Sequence, residues 1–195
     1  MEKSLKLITT NIGKGKNSMD SITIGDKNEF AIEYSFIDDT ITEIAMFHNE
    51  QNILEFERNG EKLTTRWNLD EIVLWLRNFI NNMTEDPYPV ETTGRFAAQK
   101  DQTAREFESD NEEEFDTYYD RLDEWNLRHR WHPASLGAII SDLYFQQVGN
   151  NVEISWNNAD SENDVYFTSI EGGFVIDKSD FINVVDSFLK AYADK

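Results

Sequence analysis

The chain has 195 residues, no cysteine and a formal net charge of -20. That length fits one large domain or two small ones. The missing cysteines exclude a disulfide scaffold, a thiol nucleophile and thiolate metal sites, while the charge repels nucleic acid and anionic membrane and attracts basic partners.

Aromatic residues make up 13 % of the chain, enough large apolar side chains to fill a core despite the charge. No apolar run approaches the roughly 18 residues of a membrane span. The start, Met1 to Lys6, has no apolar signal core. The expected location is the cytoplasm.

Residues 1–20 read as a flexible, loop-like, mildly basic N-terminus. Gly13-Lys14-Gly15-Lys16-Asn17-Ser18 lacks the spacing of a phosphate loop and reads as a turn. Phe30, Ile32, Tyr34 and Phe36 then alternate with Ala31, Glu33 and Ser35, the period of a half-buried strand. Shorter strands are expected near Glu43–Phe47, Ile53–Glu57 and Leu63–Trp67, with a hairpin turn at Asn59-Gly60. Asn68 can cap a helix whose apolar face is Ile72, Trp75, Leu76 and Phe79. Pro87 and Pro89 close that unit. A long polar connection follows, with a short helical piece near Phe96–Lys100.

Glu106 to Glu124 holds ten acids and one base, Arg121, a net of nine negative charges. A helix is expected over about 111–131. Phe115, Tyr118, Tyr119, Leu122, Trp125 and His129 form its apolar stripe. Glu112, Glu113, Asp116, Asp120, Asp123 and Glu124 lie largely on the other side. Fully helical, the acidic stretch would carry one charge per roughly 3 Å, near the phosphate spacing of one DNA strand. A solvated helix face, a basic protein partner and nucleic-acid mimicry are all consistent with that density. Arg121, Arg128 and Arg130 read as partners for the acids upstream.

The last third returns to strands. Leu143–Val148 and Val152–Trp156 flank a turn at Gly149-Asn150-Asn151, and Val165–Ser169 and Phe174–Ile176 flank Glu171-Gly172-Gly173. Asp177 or Ser179 caps a final helix that buries Phe181, Ile182, Val185, Phe188 and Leu189. Hairpin followed by helix thus occurs near 53–82 and again near 152–192. Duplication and the ordinary α+β arrangement both account for that.

Chemistry-bearing motifs are sparse. His129 and His132 stand three apart, with Asp123 or Glu124 upstream. This is not the His pair of a zinc peptidase, and His129 also continues the apolar stripe. Asp160-Ser161-Glu162-Asn163-Asp164 lacks the glycine and distal glutamate of a calcium loop and reads as a hairpin loop. No nucleophile motif stands out, so no catalytic residue, metal or cofactor is assigned.

One stretch, Tyr118 to Trp156, resembles a group of uncharacterised bacterial proteins. The resemblance is carried by Trp125, Arg128, His129, Trp131, Gly137, Ala138, Asp142, Tyr144 and Phe145, and by the closing strand Val152, Ile154, Ser155 and Trp156. The segments NGEKLTTRWNLDEIVLWLRNF and EDPYPV are similar to the first half of such proteins. The resemblance implies a bacterial accessory or regulatory module, sometimes beside IrrE-like metallopeptidase domains. This chain has no His-Glu-x-x-His, so it implies no peptidase activity here.

The sequence therefore predicts a single α+β domain over 1–195. Antiparallel strands in two groups, 21–67 and 143–176, pack on helices near 69–82, 111–131 and 179–192. The expected function is non-catalytic: an acidic protein that neutralises or regulates a partner with a basic surface, such as an immunity, phage-defence or counter-defence factor. The partner surface would be Glu112, Glu113, Asp116, Asp120, Asp123 and Glu124. The alternative is a ligand-binding or hydrolytic accessory subunit with a pocket at Arg128, His129, Trp131 and His132. Neither reading calls for direct contact with nucleic acid or membrane.

Overall fold

The computed structural model describes residues 8–10, 21–39, 41–131, 139–159 and 164–193. Over these residues the fold is α+β, with antiparallel sheets and four helices. It begins with β1 (Ile8–Thr10), a short strand where the sequence suggests only loop; the rest of 1–20 lies outside the described residues.

Strands β2 (Ser21–Asp26), β3 (Phe30–Phe36) and β4 (Thr42–His48) form an antiparallel meander. Side chains Ile24, Ile32, Tyr34, Ile44 and Met46 enter the core, as the alternation requires. The chain then leaves the sheet. After β5 (Gln51–Asn52), β6 (Phe56–Arg58) and β7 (Glu61–Leu63) close a hairpin at Asn59 and Gly60, both with positive φ. Ile53 and Leu54 are buried but belong to a turn, so the strand expected from Ile53 starts only at Phe56. β8 (Thr65–Trp67) returns to pair with β4, and α1 (Asp70–Asn81) follows. Asn68 accepts the Asp70 N–H at 2.9 Å, and Ile72, Val73, Leu76 and Phe79 are buried.

Helices α2 (Ala97–Ala104) and α3 (Glu112–His129) come next, then β9 (Arg130–Trp131), β10 (Leu143–Val148) and β11 (Asn151–Asn157). β12 (Val165–Phe167), β13 (Glu171–Asp177) and α4 (Lys178–Ala193) end the chain. Gly149 has positive φ and turns β10 into β11, as expected. The third expected hairpin does not form. β12 pairs with β6, and β13 pairs with β11. Gly172 and Gly173 lie inside β13 because rings lie on them. A Cβ on Gly172 would sit 2.5 Å from Trp156, and one on Gly173 would sit 2.7 Å from Phe96. The described strands accordingly make three sheets, the smallest of which, β12-β6-β7, joins the two expected groups.

The order of elements repeats. A four-strand meander, β2-β3-β4-β8, runs into α1; a second, β9-β10-β11-β13, runs into α4. In each, an excursion separates the third strand from the fourth, and the two excursions pair with each other as β6 and β12. In both units the third strand pairs antiparallel with the second strand on one side and the fourth on the other. The unit that recurs is therefore larger than a hairpin and a helix.

A continuous core unites the two halves. Ile32, Ile44 and Met46 share it with Phe145, Ile154, Phe79, Phe181 and Phe188. Each such fully buried side chain contributes roughly 1.5–3 kcal/mol. On α4 the buried residues are Phe181, Val184, Val185, Phe188 and Leu189. Ile182 is only partly buried, and the capping side chain is Asp177, which accepts the Ser179 N–H at 2.8 Å.

Candidate functional site

The second sheet is covered on both faces. Leu143, Phe145, Val152 and Ile154 enter the shared core, while Tyr144, Gln146, Glu153 and Ser155 face α2 and α3 and are also buried. Those polar side chains fasten the helical layer. α2 starts at Phe96 with no capping side chain of its own. Glu153 Oε1 accepts the Ala97 N–H at 2.6 Å and Ser155 Oγ the Ala98 N–H at 3.1 Å. The sheet thus supplies acceptors for amides that no residue of the helix itself satisfies.

Asp101, 3 % exposed, is fully bonded between α2, α3 and β10. One carboxylate oxygen accepts Asn126 Nδ2 at 2.8 Å and Tyr88 OH at 3.3 Å. The other accepts Arg105 Nε at 2.7 Å and Tyr144 OH at 2.9 Å. Burial and the nearby acids, Asp101 for Tyr88 and Asp142 with Asp101 for Tyr144, push both phenols far above the ordinary tyrosine range. Arg130 pairs with Asp142 beside Tyr144.

Asp86 is the second anchor. Its carbonyl accepts Trp125 Nε1 at 3.2 Å and Gln146 Nε2 at 3.0 Å. Its carboxylate takes Arg128 Nη2 at 2.9 Å and His129 Nε2 at 3.0 Å. His129 is buried, stacked on Trp125 with centroids 4.2 Å apart, and its Nδ1 lies 2.8 Å from the Phe145 carbonyl oxygen.

These anchors fix the back of α3 and leave its front in water. Asn111 caps the helix, accepting the Glu113 and Glu114 N–H groups. Glu112, Glu113 and Glu114 sit in the first turn, where the helix dipole favours anions. The helix starts at Glu112, so 106–111 does not extend it. The buried residues are Leu122, Trp125, Asn126 and His129. Phe115 is exposed, and Tyr118 and Tyr119 are half-buried against 105–107, where Tyr118 stacks on Phe107 and Tyr119 OH donates to the Phe107 carbonyl at 3.1 Å.

Glu112, Glu113, Asp116, Asp120, Asp123 and Glu124 are all exposed, on one helix. Among the described residues none of the six forms an ion pair. The arginines expected to neutralise them point elsewhere: Arg128 pairs with Asp86 and Arg130 with Asp142, and Arg121 has no ion-pair partner among the described residues. Of the alternative pocket, His129 and Trp131 are buried, Arg128 is exposed and held by Asp86, and His132 lies outside the described residues. Asp160 to Asn163 of the calcium-like loop also lie outside them.

Sequence reasoning does not single out Asp86, Asp101, Asn126 or Glu153. A signal exists for Asn126, which stands one residue after Trp125 and three before His129, on the flank of the stripe. For Glu153 the signal is a charged residue inside a strand otherwise built for burial.

The fold and its acidic helix define an α+β protein with two related meander–helix units and a separate helical layer on the second. The chain belongs to DUF5984, a family of unknown function, whose match runs over residues 69–195. That match takes in α1, the helical layer and the whole second unit, and leaves the first sheet outside. No curated protein and no solved structure matches the chain.

Proposed function

We propose that the protein binds, and thereby neutralises or regulates, a partner protein with a basic functional surface, and that the exposed front of α3 is the contact. The observation that supports this is the set of six exposed, unpaired carboxylates on a helix whose back is fastened by Asp86 and Asp101. From Glu112 to Glu124 the helix carries seven acids and one base along about 20 Å. That is one net charge per roughly 3 Å, comparable with a nucleic-acid strand. Like charges at i, i+4 work against the helix. A rigid, repulsive face of this kind suits long-range steering of a cationic partner. An immunity protein against a nuclease toxin, or a bacterial phage-defence or counter-defence factor in the cytoplasm, has such a surface. So would an accessory module working beside an IrrE-like metallopeptidase.

The test is association kinetics with the partner recovered from the native host. Replacing Glu112 and Glu113 with Gln and Asp116 and Asp120 with Asn is expected to leave the fold intact and slow association by about tenfold or more. Raising ionic strength should slow the wild type steeply and the variant little. Unchanged kinetics in the variant reject the reading.

A further inference from the structure

The described strands that end a sheet are short, with one exception. β1, β5, β7, β8, β9 and β12 have two or three residues each. A short edge offers few main-chain groups to a foreign strand, which is one way sheets avoid unwanted pairing. β13 has seven residues and ends the second sheet, with β11 as its one neighbour among the described strands. Its sequence, from Glu171 to Asp177, contains no proline or lysine to guard it.

The hydrogen-bond phase shows which groups this edge leaves free. Asn157 N–H donates to the Asp142 carbonyl at 3.3 Å, so the odd-numbered residues of β11 turn their backbone toward β10. Asn158 N–H donates to the Ile170 carbonyl at 2.7 Å, and Lys178 N–H to the Asn150 carbonyl at 2.9 Å. The even-numbered residues therefore carry the bonds between β11 and β13, as in the pairs Trp156 with Gly172 and Ile154 with Phe174. In an antiparallel ladder the intervening residues point the other way. Glu171, Gly173 and Val175 thus turn N–H and C=O outward, where no described group bonds them.

The edge is also preformed. Trp156 lies on Gly172 and Phe96 on Gly173, so rings hold the strand from both faces. Beside the free groups, Val175 is 53 % exposed, and Ile170, which leads into the strand, is 60 % exposed. Glu171 is exposed and forms no ion pair among the described residues. A second copy of the chain fits poorly. Its net charge is -20, and a two-fold pairing centred on Phe174 would set Glu171 opposite Asp177.

We propose that the outer edge of β13 takes up an extended segment of a partner protein as an added antiparallel strand. A lysine or arginine of that segment lies beside Glu171 and an apolar side chain beside Val175. Main-chain bonds to Glu171, Gly173 and Val175 supply the affinity, and the two side-chain contacts select the sequence. This edge is separate from the front of α3 and does not depend on that reading.

The experiment follows amide exchange in the full-length protein by NMR, with a short capped peptide that alternates valine with threonine and carries a lysine at each end. The expected result is exchange slowed about tenfold at Glu171, Gly173 and Val175 once the peptide stands near about ten times its dissociation constant. A peptide of the same charge, N-methylated at successive residues so that neither of its edges can donate, should slow none of them. Val175→Pro should abolish the slowing at Glu171 and Gly173, because the ring replaces an N–H that bonds nothing within the sheet. Circular dichroism checks that this variant folds, and if it does not, the N-methylated peptide decides. No slowing at the three amides, or equal slowing with the N-methylated peptide, overturns the proposal. A peptide-free dimer that Val175→Pro turns into a monomer also overturns it, by giving the edge to a second copy. Peptide-induced changes confined to α3 overturn it as well and leave the α3 reading standing.

Discussion

His129 and Asp86 meet at 3.0 Å, Nε2 to Oδ2, while the other ring nitrogen faces the Phe145 carbonyl. One buried ring therefore ties the C-terminal end of α3 both to the second sheet and to the connection that precedes α2.

Asp86 makes that tie dependent on pH. Burial raises its carboxyl pKa, but the hydrogen bonds from His129 and Arg128 outweigh burial and hold it below the ordinary value. A carboxyl with a lowered folded pKa contributes stability above its unfolded value, near 4, and loses it as pH falls through the folded value. Asp86→Asn is expected to cost about 1–2 kcal/mol at pH 7, the partial exposure of the pair being discounted. Once pH falls below the folded value the variant and wild type should converge, and urea melts at neutral and at acid pH measure both.

The phenols set the alkaline limit. Tyr88 and Tyr144 are raised well above the ordinary range, and Tyr192, through partial burial and Asp70, is pushed up to about 12. A raised acid pKa contributes stability that is complete below the unfolded value, near 10, and is lost as pH rises beyond it. Ultraviolet titration should show these phenolates forming only together with unfolding. Tyr144→Phe removes one such group but also one donor to Asp101, so it should soften the alkaline transition and lower stability at neutral pH.

Removing the cap that α2 borrows should be local. Glu153→Ala leaves the Ala97 amide buried without its acceptor, an expected loss of about 1–3 kcal/mol. Hydrogen exchange should accelerate first at Ala97 and Ala98, before the amides of β3 and β4. Uniform acceleration across the molecule would show that the helical layer and the core open as one.

Two tryptophans differ in one bond. Trp156 Nε1 donates to Ser169 Oγ at 2.9 Å, whereas Trp131 Nε1 is buried and has no partner among the described residues. Trp156→Phe and Trp131→Phe remove the same atoms, so the first should cost more by about 1 kcal/mol. Trp125→Ala, at a fully buried position, is expected to cost about 3–5 kcal/mol, and thermal melts compare all three.

The parts of the fold legible in the sequence are those with one wet face. β3 alternates because its outer face is polar, and α1, α3 and α4 show their stripes because water takes the opposite side. The stripe of α3 reads too far toward Phe115 because the helix runs on past the body it packs against. Gly172 and Gly173 look like a turn because sequence does not reveal two rings lying on a strand. Asp86, Asp101 and Glu153 are hidden for another reason. Among 38 acids, only three-dimensional partners separate an anchor from a solvated charge. The acidic front of α3 is legible because charge density needs no partner to be seen.

The pairing of β6 with β12 also bears on the order in which the molecule is built. Thr168 donates through its hydroxyl to the carbonyl of Glu55, across a separation of 113 residues. Among the described residues β6, β7 and β12 pair only with one another, and the small cluster of Phe56, Val165 and Phe167 exists only once both excursions are in place. Closing so long a loop brings little reward until each half has folded, so this clasp belongs to the last step of folding. It is then a junction expected to open early under mechanical load or protease, freeing residues 56–63 as a strap while β5, Ile53 and Leu54 stay with the first sheet and its core.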